Sequence, residues 1–268
     1  MKQYDDNETK EYFIQKKINE LKKIGQDISA LKTQFEKLEL NMRITRNYIS
    51  KLFVMRQLSQ LDAMFKLEDN ENCILISRSM FEGAVYLGSF IQEPALAEDW
   101  RNYSFVIDQI RADSISDKSK IPEYVTKELL ENKKIIYGFK TKKGNFYSSW
   151  TKGRKIKELA TIAKLESYYE EYYSKMSEYH HWGTKSFGIR YLCLDKNTDR
   201  LDTAEIKLEV LYSWCMAISS ILAVLQIFSQ CLGDENVIKL INDISSELHN
   251  LNGLKTRTIT YSNNSKIS

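Results

Sequence analysis

Ile14, Leu21, Ile28, Phe35, Met42 and Ile49 recur at intervals of seven residues near the start of the chain. Ile24, Leu31, Leu38 and Leu52 stand three positions after members of that row, and Thr45 takes the same place once. Lys, Glu, Asp and Gln dominate the positions between. Such a pattern, sustained without a proline, predicts a long coiled-coil helix over residues 1–52. Gly25 falls off the seam, at a modest local cost to the helix. The narrow seam suits the same arm of a second chain, so a homodimer through residues 14–52 is expected. A helix lying along its own bundle is the alternative.

From Phe53 to Leu67 the apolar positions broaden, which marks entry into a globular body. The polar run from Glu68 to Asn72 is the first clear turn, and a helix is predicted from there over residues 73–92. Pro94 suits the first turn of a helix over 95–111, and Pro122 that of a helix reaching 132. Residues 133–154 are less regular. Further helices are expected over 155–164, 165–181, 203–232 and 235–250. Phe187, Ile189, Tyr191 and Cys193 alternate with other residues, as a short strand or extended loop would. Residues 251–268 read as a flexible polar tail. The prediction is an all-α protein: a helical bundle over residues 53–250 carrying a long N-terminal coiled-coil helix. With only 2 prolines and 10 glycines in 268 residues, a turn-rich β protein is disfavoured.

The run from Val210 to Gly233 contains no charged residue. Its length would cross a bilayer. It also carries Ser213, Ser219, Ser220, Gln226, Ser229 and Gln230, and no cluster of Lys or Arg flanks it. A buried central helix is the preferred reading and a membrane-associated protein the lesser one. With 43% hydrophobic and 12% aromatic residues, the chain can build a sizeable core. The four cysteines are far apart, and residues 1–10 lack the apolar core of a signal peptide. Both features predict a cytoplasmic location without a disulfide framework. A net charge of +3 excludes a global basic field, so any nucleic-acid surface must be local.

Two helical segments place polar groups on faces that should be apolar. On the helix over 73–92, Arg78, Glu82 and Tyr86 follow one another at steps of four, at the margin of the Ile74, Phe81 and Val85 face. On the helix over 165–181, Tyr169, Tyr173, Ser177 and His181 do the same. Burying a charge or an imidazole is costly unless it is paired. The two rows therefore predict one internal polar cluster, in which His181 meets Arg78 or Glu82. Such a cluster either fixes packing or performs chemistry.

These residues also carry a family resemblance. The string from Ser77 to Leu87, with Arg78, Ser79 and Glu82, resembles the R-S-x-x-E helix of the bacterial domain-of-unknown-function family 5677. Trp150, Gly153, Ile156, Leu159 and Ala160 resemble its W-x-x-G-x-x-I-x-x-L-A element. The row of Tyr169, Tyr173, Ser177 and His181 resembles its Y-x-x-x-Y-x-x-x-S-x-x-x-H helix. The likeness covers roughly residues 50–235 and implies an all-helical fold allied to the HEPN nucleases and nucleotide-binding helical domains. It implies no established reaction. HEPN ribonucleases place an arginine four to six residues before the histidine of one helix. Here the preceding residues are Ser177, Met176 and Lys175, so either Arg78 would have to reach His181 from another helix or Lys175 would have to substitute, and a lysine is a poor copy of a guanidinium fork.

Between Lys127 and Lys164 lie eleven Lys and Arg against Glu128, Glu131 and Glu158. Lys142, Lys143, Arg154 and Lys155 are the candidate phosphate contacts, and Tyr137, Phe139, Phe146, Tyr147 and Trp150 are interleaved as candidate stacking rings. A solvated loop with its aromatics turned inward is the alternative. No phosphate-binding glycine loop and no metal-ligand cluster occurs, so no metal and no cofactor are expected.

The leading functional expectation is a HEPN-like protein of bacterial stress or phage-defence type that acts on or senses RNA. In its enzymatic form it would be a metal-independent ribonuclease. His181 would serve as general acid and base, Arg78 would stabilise phosphate charge, and Glu82 would complete the cluster. The competing expectation is a non-catalytic scaffold that dimerises through its arm and recruits a protein partner.

Overall fold

A computed structural model describes residues 6–41, 43–67, 72–174, 176, 203–232 and 235–250. The long helices are α1 (Asp6–Ala30), α3 (Thr45–Leu67), α4 (Cys73–Gln92), α5 (Pro94–Ser114), α10 (Thr203–Leu232) and α11 (Glu235–Asn250). Shorter ones are α2 (Lys32–Lys37), α6 (Glu123–Glu131), α7 (Lys133–Tyr137), α8 (Ile156–Ile162) and α9 (Glu166–Tyr168). α9 continues into a π-turn over Tyr169–Tyr173. The fold is all-α. Among the described residues the only β pairing is an isolated bridge between Lys140 and Phe146. The segment Phe187 to Cys193 and the tail over 251–268 lie outside the described residues.

α10 is the axis of the bundle, packing on α4, α1, α3 and α11. Its uncharged run explains this position: Val210, Trp214, Ile218, Ile221, Val224 and Phe228 are fully buried. The length that could have crossed a bilayer is for the most part buried inside the bundle, 83% of its most apolar 18-residue window. Its serines are accommodated locally. The hydroxyls of Ser213, Ser220 and Ser229 donate to the carbonyls of Glu209, Met216 and Gln226, at 2.8, 2.6 and 2.8 Å. Cys73 and Cys215 are buried thiols, and burial pushes the Cys215 thiol up to about 12. Both act as small apolar side chains.

The heptad region runs as α1, α2 and the first turns of α3, and its seam is buried within the same chain. Ile18, Leu21, Ile24 and Ile28 are fully buried. Gly25 is buried with them, and a Cβ there would meet Phe65 at 3.0 Å and Ile218 at 3.2 Å. α1 therefore rests on α3 and α10 at once. That contact needs a face wider than the two-position stripe of a paired coiled coil. The helix breaks at Leu31 and again between Leu38 and Thr45. Lys51 Nζ donates to the carbonyls of Glu36 (3.2 Å) and Leu38 (3.0 Å), at the end of α2. After the breaks the seven-residue register is lost: Ile49 is buried but Leu52 is exposed. α3 runs without interruption through residues 52 and 53, where an arm was expected to give way to the body. Met42 lies outside the described residues.

α4 lies between α3, α10 and α8. It approaches α3 closely at Gly83, where an added Cβ would sit 2.9 Å from Gln57 Nε2. The Gln57 amide is buried and donates to the Met80 carbonyl at 2.6 Å. The tryptophan-glycine element sets α8 against α4. Gly153 takes φ +90°, which a side chain would strain, and turns the chain into α8. Leu159 and Ala160 are then fully buried.

Candidate functional site

The two polar rows meet at Glu82. On α4, Arg78 Nε donates to Glu82 Oε1 at 3.3 Å, one turn along the same face. From the π-turn, the Tyr173 hydroxyl donates to that same oxygen at 2.5 Å. The Arg78 guanidinium carbon lies 4.7 Å from the centre of the Tyr173 ring, a cation–π distance. Tyr173 also packs on Phe81 at 5.1 Å and stacks on Tyr169 at 5.3 Å, with their planes 30° apart. Arg78 is held by the Glu82 carboxylate and by the face of the Tyr173 ring.

The cluster sits at the edge of the core. The side chains of Arg78 and Glu82 are 13% and 32% exposed, so the carboxylate side faces solvent. Tyr173 is buried, and burial, followed by the Glu82 hydrogen bond and charge, raises its pKa while Arg78 opposes the rise. Burial and the Glu82 charge raise that of Tyr86, one turn further along α4. Both phenols are therefore donors at neutral pH and neither is a base.

The π-turn explains how four tyrosines are served at once. Tyr172 points to α10, where its ring lies 5.9 Å from Tyr212, and Tyr168 stacks on Tyr172 at 6.3 Å. Tyr173 and Tyr169 form the neighbouring row that reaches α4. A π-turn is rare and is frequent at functional sites. Ser177 and His181, the expected continuation of the row, lie outside the described residues.

Lys157 joins the outer edge of the cluster and was not singled out from sequence. Its Nζ pairs with Glu170 at 2.5 Å and lies 5.8 Å from the Tyr169 ring centre. The signal was available: Lys157 opens α8 three residues after Arg154, but it reads as one more member of a basic run.

That basic run is divided in its roles. Arg154 pairs with Glu93 at 2.7 Å, and Lys152 with Asp99 at 2.8 Å, which docks the loop on the start of α5. Lys142 and Lys143 lie exposed at the tip of the loop closed by the Lys140–Phe146 bridge, and Lys155 is exposed just before α8. These three have no ion-pair partner among the described residues. Phe139 and Trp150 are buried. Trp150 meets Tyr86 edge-on at 5.0 Å and Phe90 at 5.4 Å, so it belongs to the core and not to a stacking surface. Tyr137 is exposed, with Lys140 Nζ 4.3 Å from its ring centre. Among the described residues no group of His, Cys, Asp and Glu side chains could hold a metal ion.

No curated protein and no solved structure matches the chain. A family model does match, over residues 47–199, more than half of the sequence. The matched segment contains Arg78, Glu82, Tyr173 and the Trp150–Gly153 turn. The chain thus belongs to the Family of unknown function (DUF5677).

Proposed function

We propose that this is a HEPN-like helical protein that engages RNA, with the Arg78–Glu82–Tyr173 cluster as its phosphate-facing site. The observation that carries the reading is the bracing of Arg78. A guanidinium is a planar fork of five donors that matches a phosphate, and it works best when its orientation is fixed in advance. Here a carboxylate and a tyrosine from a π-turn fix it at the rim of the core. Tyr169, half-buried beside Lys157, offers a ring and a cation at the outer edge, the pairing that suits a base and its backbone. His181 is the candidate general acid and base for a metal-independent cleavage. Lys142, Lys143 and Lys155 supply exposed positive charge for a longer strand.

The test is binding of a fluorescent single-stranded RNA to the full chain, followed by anisotropy against salt. Binding should weaken as salt rises, and Arg78→Lys should lower affinity about tenfold or more while the melting temperature moves little. Loss of RNA cleavage in His181→Ala, with folding intact, would support the enzymatic form. RNA that does not bind at low salt, or that binds Arg78→Lys as well as the parent, removes the reading.

A second reading is a packing device inside a scaffold. It is favoured by the way Arg78, Glu82 and Tyr173 satisfy one another without a ligand. Under that reading Arg78→Lys and Tyr173→Phe change only stability.

A further inference from the structure

A cavity of about 400 Å³ opens where the start of α3 meets the end of α4 and the start of α5. It shares no residue with the polar cluster. Its inner wall is apolar, with Ile49, Leu87, Phe90 and Ile91 all buried. Three arginines line it, Arg43, Arg46 and Arg101, against the single carboxylate of Glu98. Arg43 and Arg101 are exposed and have no ion-pair partner among the described residues.

This combination has a chemical meaning. Small-molecule sites are mostly apolar cavities of roughly 300–1,000 Å³ with a few polar groups that fix orientation. Arginines set around one opening repel each other and gain most from an anion that bridges them, because a guanidinium binds phosphate or carboxylate through paired hydrogen bonds. The first turns of α3 and α5 both contribute to the wall, and the positive ends of their dipoles add to a field the arginines already set. An inorganic anion would use the charge and leave the apolar wall wet. A ligand with an apolar or aromatic body also removes that wall from water, which favours it over a bare inorganic anion.

We propose that this cavity binds an organic anion, with its apolar body against Phe90, Leu87 and Ile49 and its phosphate or carboxylate head between Arg43, Arg46 and Arg101. The site is separate from the RNA-facing cluster and does not depend on it. Two sources share this chemistry, a nucleotide and an acyl-chain phosphate or acid.

Isothermal titration calorimetry on the full chain tests it with three probes: octyl phosphate, adenosine monophosphate and inorganic phosphate. At least one of the two organic probes should bind about tenfold more tightly than inorganic phosphate, and which one does so identifies the source. Arg43→Glu and Arg101→Glu, both at exposed positions, should each weaken that binding about tenfold or more. Ala97→Phe, which fills the wall, should block the organic probe even where both arginines remain. The proposal is overturned if neither organic probe binds at millimolar concentration, if inorganic phosphate binds as well as they do, or if the double charge reversal leaves affinity intact.

Discussion

Tyr173 and Glu82, separated by 91 positions in the chain, share a hydrogen bond of 2.5 Å that ties the π-turn to α4. A phenol donating to a carboxylate is among the stronger hydrogen bonds available to a protein. Tyr173→Phe keeps the ring contacts with Phe81 and Tyr169 and removes only this bond. It should cost about 1.5–3 kcal/mol in urea unfolding. A double-mutant cycle with Arg78→Met should show a coupling of about 0.5 kcal/mol or more, since both side chains lean on Glu82 and on each other. Strict additivity would mean that the three groups do not act as a unit.

Gly83 and Gln57 form a second close relationship, one with opposite consequences for its two partners. A methyl at Gly83 would press on the Gln57 amide, which can yield only by giving up its bond to the Met80 carbonyl; against alanine's gain in helix propensity, Gly83→Ala should still destabilise the fold by about 1 kcal/mol. The Gln57 carbonyl oxygen is buried and accepts no hydrogen bond among the described residues. Gln57→Leu removes that orphan while losing one donated bond, and should be close to neutral. Combined with Gly83→Ala, the leucine still stands in the way, so the double variant should remain destabilised. Chemical denaturation of the three variants checks the pattern.

Glu209, on the second turn of α10, has its carboxyl pushed up to about 7 by burial. In the unfolded chain it titrates near the ordinary 4.5. Between those values the folded state holds a proton that the unfolded state has released, so stability falls as pH rises from about 4.5 to about 7 and then levels. Glu209→Gln removes this dependence. The variant should gain on the parent across that window, by about 1–3 kcal/mol at pH 8 after allowance for its partial exposure. Melting temperatures of both proteins at pH 5 and pH 8 measure the difference.

Leu21 tests where the heptad seam is used. It is 1% exposed in a core shared with α10. Leu21→Ala should cost about 2–5 kcal/mol, and the loss should be independent of protein concentration. A melting temperature that climbs with concentration in the parent protein would instead indicate a partner chain.

The bundle helices were legible because long apolar periodicity and two well-placed prolines are local signals. α4, α10 and α11 keep the bounds expected from sequence, and α5 begins at Pro94. That the row holding Tyr169 and Tyr173 faces Arg78 and Glu82 has a different reason, since ionisable groups at a core margin need partners; the contact named from sequence, His181 with Arg78 or Glu82, lies outside the described residues. The fate of the heptad row was harder to read. Whether Ile18 and Gly25 widen the seam depends on Phe65 and Ile218, which reach α1 only through the tertiary fold. For the aromatics of the basic loop the sequence left two readings, stacking rings or rings turned inward, and burial of Phe139 and Trp150 is set by α5 and α4 and not by their neighbours in sequence. The cavity of three arginines had no sequence signature, because Arg101 joins Arg43 and Arg46 from a separate helix.

The central place of α10 bears on how the family segment can be handled. The match ends at residue 199, before α10 begins, and starts at residue 47, after α1 has ended. Yet those two helices cover the inner flanks of α3 and α4. A fragment trimmed to the matched boundaries would leave that oily groove bare and clump rather than behave as a miniature of the whole. The segment matched by sequence comparison and the length that packs as one core are different stretches of chain, and expression boundaries belong to the second.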